Sequence, residues 1–175
     1  DVLARIIEVV TNASLQSVLK KRIFDPLEMS DTAFTVDSKN YDRLMTHYEF
    51  DPINKKLHNP LVRSQKIAGL GYPSDQLTYA RGGHGLFSTL EDYSKFAQML
   101  LDGKSQKGET IISNNMLSQA ITNHLDIKFF PLEIKSFDVE VLEVNGLAGY
   151  GWGLGFRVLI DLDKTNGIGN IGEFG

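Results

Sequence analysis

The sequence has 175 residues, of which 42% are hydrophobic and 23% are charged, which are ordinary proportions for a globular domain with a sizeable core. The formal net charge is −4 with acidic and basic residues interspersed, so no basic stripe is available for a nucleic-acid partner. The absence of cysteine excludes disulfides and thiolate chemistry, and it is compatible with cytoplasm and periplasm alike. No apolar run reaches the ~18 residues of a membrane span.

The chain begins with two helical patterns. The segment from Asp1 to Val10 is amphipathic, and its inward face is predicted to hold Leu3, Ile6, Ile7 and Val10. A second helix is predicted over 15–24, with Ser14 as its N-cap and Pro26 after its end. Residues 31–79 then predict loops and short strands, with a hairpin near 47–57.

Two further helices follow. Ser88-Thr-Leu-Glu91 has the form of a capping box, which predicts a helix that begins after Ser88 and ends at Gly103. Its inward face is predicted to hold Tyr93, Phe96, Ala97, Leu100 and Leu101. A short helix is predicted over 113–124, with Ser113 as its cap and an inward face of Met116, Leu117, Ala120 and Ile121.

Strand patterns dominate the last part of the chain. Residues 137–144 alternate in strand fashion, and 150–161 form a Gly-rich approach to one strong strand. Helices first and strands last indicate α+β architecture. We therefore predict a single partial domain over 1–175, with a helical and loop region at 1–136 and strands entering a sheet at 137–175. Both ends are interpreted as cuts through a longer chain.

Several short patterns match known signatures by letter only. Gly167–Gly172 copies a dinucleotide fingerprint, but no helix follows it, so a turn is the better interpretation. The segment 161–165 begins like a calcium loop without the required glycine and terminal carboxylate. The four histidines lack zinc-ligand spacing. We therefore predict no metal and no other cofactor.

Ser17-Val-Leu-Lys20 resembles a serine–lysine nucleophile pair. Ser17 lies within an amphipathic helix beside ordinary charged lysines, which favours an exposed polar face over catalysis. Ser113-Asn-Asn115 copies another catalytic pattern, and a helix cap explains it.

Arg81-Gly-Gly-His-Gly85 is a different kind of pattern. Three glycines around one histidine allow the backbone to approach a neighbour or ligand closely. From the residues alone, a loop that presents His84 to a cleft and a tight loop with an incidental histidine are equally good interpretations.

Three segments, taken in order, resemble serine hydrolases of the penicillin-binding and class C β-lactamase family, which includes esterases and D-amino-acid peptidases. They are Arg22-Ile-Phe-Asp-Pro-Leu-Glu-Met-Ser-Asp-Thr32, Gly82-Gly-His-Gly-Leu-Phe-Ser-Thr-Leu-Glu-Asp92 and Gly151-Trp-Gly-Leu-Gly-Phe156. The resemblance implies part of the β-lactamase/transpeptidase-like fold, mainly its helical region plus one or more strands of its antiparallel sheet.

The family's reactive residues lie in S-x-x-K, Y-x-N and a later strand motif, and none of these is matched here. The resemblance therefore implies no catalytic residue within this chain, with the nucleophilic serine, the lysine and the tyrosine expected outside it. His84 is similar to a position that lines the substrate cleft in class C relatives. This makes His84, Gly83 and Arg81 the candidate substrate-binding residues.

The resulting expectation is a cleft wall of an enzyme that hydrolyses a small ester, amide or β-lactam through an acyl-enzyme, with this segment inactive alone. A non-catalytic binding or scaffold relative with the same fold is the alternative, and an autonomous small domain ranks last. Exposed strand edges near 152–162 also predict self-association of the isolated segment.

Overall fold

A computed structural model describes residues 1–45, 48–58, 80–130 and 147–175. The chain forms two compact units, Asp1–Met99 and Leu100–Gly175. The division predicted between residues 136 and 137, and the strand predicted at 137–144, lie outside the described residues and stay predictions.

The first unit opens with two short helices. Helix α1 covers Val2–Thr11, and Asn12 ends it in the left-handed conformation with φ of 50°. Helix α2 covers Leu15–Leu19 and continues directly as a π-helical turn over Lys20–Phe24. The Ser14 hydroxyl accepts a hydrogen bond from the Ser17 N–H, as expected of an N-cap. The helical segment predicted over 15–24 is therefore confirmed, with a change of helix type inside it.

The prediction for the buried face of α1 holds for Ile7 and was wrong for the other three residues. Leu3, Ile6 and Val10 are 50–75% exposed within this chain, whereas Ala4 is buried and Ile7 packs against the core. The face of α1 that packs against the core is thus the one that carries Ala4 and Ile7. Ala4 faces the backbone of Gly82 so closely that a larger residue has no room there.

The core of the first unit is a small cluster around α1 and α2. Its buried members are Ala4, Leu15, Phe34 and Ala80, with Ile7 and Leu19 packed against them. Burial of a leucine or phenylalanine side chain of this kind contributes about 1.5–3 kcal/mol. These contacts bring the helix pair, the early part of segment 31–79 and the residue that directly follows this segment into one core.

A hairpin is present where one was predicted. Strands β1 (Glu49–Asp51) and β2 (Lys56–His58) are antiparallel, with Phe50 opposite Leu57. The Asp51 carboxylate caps the turn by accepting from two backbone N–H groups that follow it. A 3-10 helix, Ser38–Arg43, precedes the hairpin, and His47 lies outside the described residues.

Helix α3 covers Leu90–Asp102, so the predicted helix is confirmed but its cap is not. Thr89, not Ser88, is the N-cap, because its Oγ1 accepts from the Asp92 N–H at 3.2 Å. The buried side chains are Asp92 and Met99, whereas the predicted inward residues Tyr93, Ala97 and Leu101 are exposed. Gly103 ends the helix with φ of 76°, as predicted.

The second unit contains helix α4, Asn114–Ala120, with Ser113 as its N-cap. The Ser113 hydroxyl accepts from the Met116 N–H, which confirms the cap, but the helix ends four residues earlier than predicted. Leu117 is buried, and Met116, which was predicted to face inward, is 49% exposed. A 3-10 helix follows at Ile127–Phe129.

The single strand predicted over 150–161 is a hairpin. Strands β3 (Tyr150–Trp152) and β4 (Arg157–Leu159) are antiparallel, with Gly151 opposite Val158. The chain turns between them at Gly155, whose φ of 96° suits glycine. The other edge of β4 is also occupied, because Arg157 and Leu159 exchange backbone hydrogen bonds with the segment 172–175.

The remaining part of the second unit is loop structure. Gly167, Gly169 and Gly172 all have positive φ, which agrees with a turn at 167–172. A 3-10 helix occupies Asp163–Thr165, and the Asp161 carboxylate accepts from the N–H groups of Asp163 and Lys164.

No single helix within the described ranges is long and apolar enough to cross a membrane. Among the described helices, one pair, Val2–Thr11 and Leu15–Phe24, bent by 76°, reaches that length and composition jointly.

Candidate functional site

The candidate site is the glycine-rich loop over residues 81–85. It leaves the core at Ala80, which is buried, and it ends at Phe87, which pairs with Ala33 through two backbone hydrogen bonds of 2.8 and 3.1 Å. Between these points, Gly82, Gly83 and His84 are exposed. The loop is therefore held firmly at both ends while its tip faces solvent.

The N-terminal end of α1 supports the loop from one side. A Cβ atom added at Gly82 would lie only 2.6 Å from the Cβ of Ala4, so glycine is required for this approach. The Asp1 carboxylate accepts hydrogen bonds from the N–H groups of Gly82 and Gly83 at 2.9 and 3.4 Å. Two successive backbone N–H groups of the loop thus already bind a carboxylate.

The two polar side chains of the loop contact each other. Arg81 Nη1 lies 3.2 Å from His84 Nε2. A guanidinium can only donate, so Nε2 is the acceptor in this contact. The structure therefore brings Arg81, Gly83 and His84, the three predicted substrate-binding residues, together on one exposed loop.

A pair of glycine substitutions separates loop packing from simple loss of flexibility. In Gly82→Ala the new methyl group overlaps Ala4, and we expect a loss of about 2 kcal/mol in the free energy of unfolding. Gly83→Ala is the matched control, because nothing lies within 4 Å of its added Cβ. Urea unfolding monitored by circular dichroism measures both, and equal losses would contradict the close packing of the loop against α1.

A buried polar cluster anchors the segment that follows the loop. Asp92, only 3% exposed, accepts from the Asp31 N–H at 2.8 Å and from Thr32 Oγ1 at 2.9 Å. Thr32 Oγ1 also lies 2.8 Å from Ser88 Oγ. Lys95 approaches the second Asp92 oxygen at 3.3 Å and donates to the carbonyl of Glu28 at 2.8 Å. The cluster thus joins the start of α3 to the chain around Asp31.

Three charged side chains of the first unit have pKa values that are shifted in favour of their charged forms. Burial disfavours the Lys95 ammonium, but the hydrogen bond and negative charge of Asp92, with a smaller effect of Glu91, raise the pKa of Lys95 above its ordinary value. The hydrogen bond from Arg43 lowers the pKa of Asp31. In α1, the N–H of Leu15 and then the Arg5 side chain lower the pKa of Glu8. All three groups are therefore held in their charged forms at neutral pH.

The serine and lysine of the Ser17-x-x-Lys20 pattern have other partners. Ser17 Oγ lies 2.8 Å from Ser14 Oγ, and the Lys20 ammonium forms an ion pair with Asp25. This arrangement supports the interpretation of an exposed polar face. No group of three or more His, Asp or Glu residues in the described part of the chain is placed to hold a metal ion.

The second unit contains a separate cleft of about 470 Å³. Its walls are mainly apolar, with the ion pair of Asp161 and Lys164 at 3.2 Å on its lining. The large apolar side chains on its lining are Phe130, Leu147, Ile160, Leu162 and Ile171. No sequence pattern predicted this cleft, because its lining residues come from several segments that are separated along the chain.

Comparison with known proteins identifies the family. The sequence matches the Beta-lactamase family over residues 1–162. The chain belongs to this family. It is a hydrolase family whose members act on small-molecule substrates, and the α+β fold and the resemblance derived from the three sequence segments are both confirmed.

The individual proteins that this chain is similar to are distant from it in sequence. An uncharacterized protein of Mycobacterium tuberculosis is 27% identical over 99% of this chain and 40% of its own length. The lovastatin esterase of Penicillium rubens is 28% identical over 98% of this chain and 48% of its own length. The structure of EstCE1, a hydrolase with promiscuous acyltransferase activity, covers 98% of this chain with a TM-score of 0.65 at 18% identity.

The chain spans less than half the length of each of these relatives, with 42% of EstCE1 covered. The shared fold agrees with the predicted combination of a helical region and antiparallel strands. Asp1 and Asp92, which support the loop, were not predicted as site residues. For Asp92, the signal in the sequence was its position at the end of the Ser88-Thr-Leu-Glu-Asp92 segment, at the start of a predicted helix. A carboxylate that is buried there needs hydrogen-bond partners from other segments.

Proposed function

We propose that this chain forms one wall of the substrate cleft in a serine hydrolase that cleaves an ester, amide or β-lactam through an acyl-enzyme. The observation that carries the proposal is the loop over 81–85, whose two ends are fixed in the core while His84 stays exposed. A wall of this kind needs a fixed backbone, since a small misplacement of bound substrate reduces the rate strongly.

The proposal divides the work of the enzyme between this chain and residues outside it. The nucleophilic serine, its lysine and the tyrosine that assists proton transfer lie outside the chain. Within it, His84 and Arg81 contact the substrate away from the reacting bond, and Gly83 leaves room for it. A loss of these contacts changes the choice of substrate more than the chemical step.

The names of the similar proteins support ester chemistry in particular. The lovastatin esterase and EstCE1 are described as an esterase and as a hydrolase with acyltransferase activity. Both activities transfer an acyl group, and a covalent acyl-enzyme serves either one, depending on whether water or another acceptor attacks it. An acyl-transferring esterase is therefore the form of the proposal that we favour.

The test compares this chain with the full-length protein that contains it. Each is assayed with a chromogenic ester and a chromogenic cephalosporin, and each is treated with a fluorophosphonate that labels reactive serines. We expect hydrolysis and labelling in the full-length protein only. Labelling of this chain at Ser17 would overturn the assignment of catalysis to residues outside it. A folded full-length protein that is neither labelled nor active would instead favour the scaffold alternative.

A further inference from the structure

The guanidinium of Arg81, the cation of the glycine-rich loop, differs from other cations of the same unit in its partner. Arg43 and Lys95 in the same unit each form an ion pair with a carboxylate, whereas the recorded partner of Arg81 is an imidazole nitrogen of His84. Within the described residues, no carboxylate forms an ion pair with Arg81. Among the described residues, the positive charge of Arg81 is therefore not balanced by an ion-paired carboxylate.

We propose that Arg81 and His84 form a recognition site for a carboxylate group on the ligand. The planar guanidinium offers further N–H groups in a fork that matches the two oxygens of a carboxylate. When Nε2 of His84 accepts from Arg81, the other ring nitrogen, Nδ1, is available as a second donor on the same loop. The two side chains thus supply further donors on one exposed loop.

A second observation supports an anion at this loop. The backbone N–H groups of Gly82 and Gly83 already bind the carboxylate of Asp1 at 2.9 and 3.4 Å. Successive backbone N–H groups that point the same way form a concavity suited to anions. The loop backbone therefore tolerates a carboxylate within hydrogen-bonding distance. Because Asp1 already occupies these two N–H groups, the positive charge of Arg81 is what would attract the carboxylate of a ligand.

The inference deepens the proposed cleft-wall function and rests on it for the claim that the ligand is the substrate. It narrows the substrate class to acyl compounds that carry a free carboxylate away from the bond that is cleaved. The reacting bond itself makes no contact with Arg81 or His84. Recognition of this group accordingly changes the Michaelis constant more than the turnover number.

The binding test uses the full-length protein and two probes that differ in one group. Glutaramate carries one carboxylate and one amide, whereas glutaramide carries two amides and no charge. Calorimetry at fixed ionic strength should detect binding of glutaramate and much weaker binding of glutaramide. In Arg81→Gln we expect the affinity for glutaramate to fall at least about tenfold, since a charge-assisted hydrogen-bond pair is lost.

Two variants control for charge and for the partner residue. Lys21→Gln removes one positive charge from an exposed site on the π-helical turn and should leave glutaramate affinity unchanged. His84→Ala removes the second donor and should weaken glutaramate binding by a smaller factor than Arg81→Gln. Equal binding of the two probes, or equal losses in Arg81→Gln and Lys21→Gln, would overturn the inference.

A kinetic arm separates this inference from the proposed function. The 4-nitrophenyl monoester of glutaric acid and 4-nitrophenyl pentanoate differ mainly in the free carboxylate. Arg81→Gln should raise KM about tenfold for the acidic ester and change KM for the neutral ester by a much smaller factor. If glutaramate binds through Arg81 but neither ester is hydrolysed, the hydrolase proposal fails and the carboxylate site stands. If the esters are hydrolysed but Arg81 makes no difference to glutaramate binding, the hydrolase proposal stands and the carboxylate site fails.

Discussion

Replacement of Asp92 by alanine is expected to lower the free energy of unfolding by about 3 kcal/mol, because it removes one member of a buried polar cluster. The carboxylate accepts from the Asp31 N–H and Thr32 Oγ1, and it balances the charge of Lys95. Without it, these donors remain in a site that is nearly closed to water. The cost of desolvated, unpaired donors therefore exceeds the value of any single lost hydrogen bond.

The control for this prediction is an acidic residue one position earlier in the same helix turn. Glu91 also lies near Lys95, at 3.5 Å, but its side chain is 82% exposed. Glu91→Gln should change stability by less than about 0.5 kcal/mol, since exposed ion pairs contribute little. Urea unfolding followed by circular dichroism measures both variants. Similar small losses in Asp92→Ala and Glu91→Gln would show that the cluster does not anchor the start of α3.

The effect of Asp92→Ala should extend to the candidate site. Ser88 is bound to Thr32 in the same cluster and directly follows Phe87, which ends the glycine-rich loop. Asp92→Asn keeps an oxygen acceptor and nearly the same shape, so it should retain more stability than alanine. We expect the order wild type, Asp92→Asn, Asp92→Ala for both stability and the affinity for glutaramate.

Replacement of Gly153 by alanine is the second large effect, with an expected loss of about 3 kcal/mol. The added Cβ would lie 2.1 Å from the carbonyl oxygen of Ala120. That carbonyl accepts the Leu154 N–H at 2.9 Å, so the overlap cannot be relieved without breaking a backbone hydrogen bond. Because both partners are backbone atoms, no side-chain rotation offers an escape.

Gly155→Ala is the control, since nothing lies within 4 Å of its added Cβ and only the positive φ of 96° opposes the change. A left-handed conformation costs an L-residue about 1–2 kcal/mol. The free energy of unfolding should therefore fall clearly less in Gly155→Ala than in Gly153→Ala. Trp152 is the only tryptophan of the chain and adjoins Gly153, which makes its fluorescence a local reporter of unfolding. A larger loss in Gly155→Ala would contradict the close contact with Ala120.

A second close contact of this segment bears on the prediction of a single strand over 150–161, which the structure shows to be a hairpin. A Cβ at Gly151 would lie 2.4 Å from the Asn123 side-chain oxygen, which accepts from the Trp152 N–H at 3.0 Å. The glycines therefore admit a neighbouring loop beside β3. Local patterning cannot indicate this, because the loop lies about thirty positions away in the sequence.

The sequence by itself determined the local features that depend on near neighbours. Ser14 and Ser113 cap helices, Gly103 ends one, and the hairpin at Phe50 and Leu57 forms where it was predicted. The order of three motif segments also determined the family, which the match over residues 1–162 confirms. These features follow from backbone geometry and short-range hydrogen bonds that a few adjacent residues fully specify.

Only the tertiary structure decided which faces are buried and which residues of the loop meet. The helix over 2–11 turns Ala4, not its larger apolar residues, toward Gly82, and Thr89 becomes the cap because Ser88 is bound to Thr32 across 56 positions. The contact of Arg81 with His84 likewise depends on a loop held at both ends. Burial and buried hydrogen bonds are shared between distant segments, so their outcome is a property of the folded chain and not of any one stretch of it.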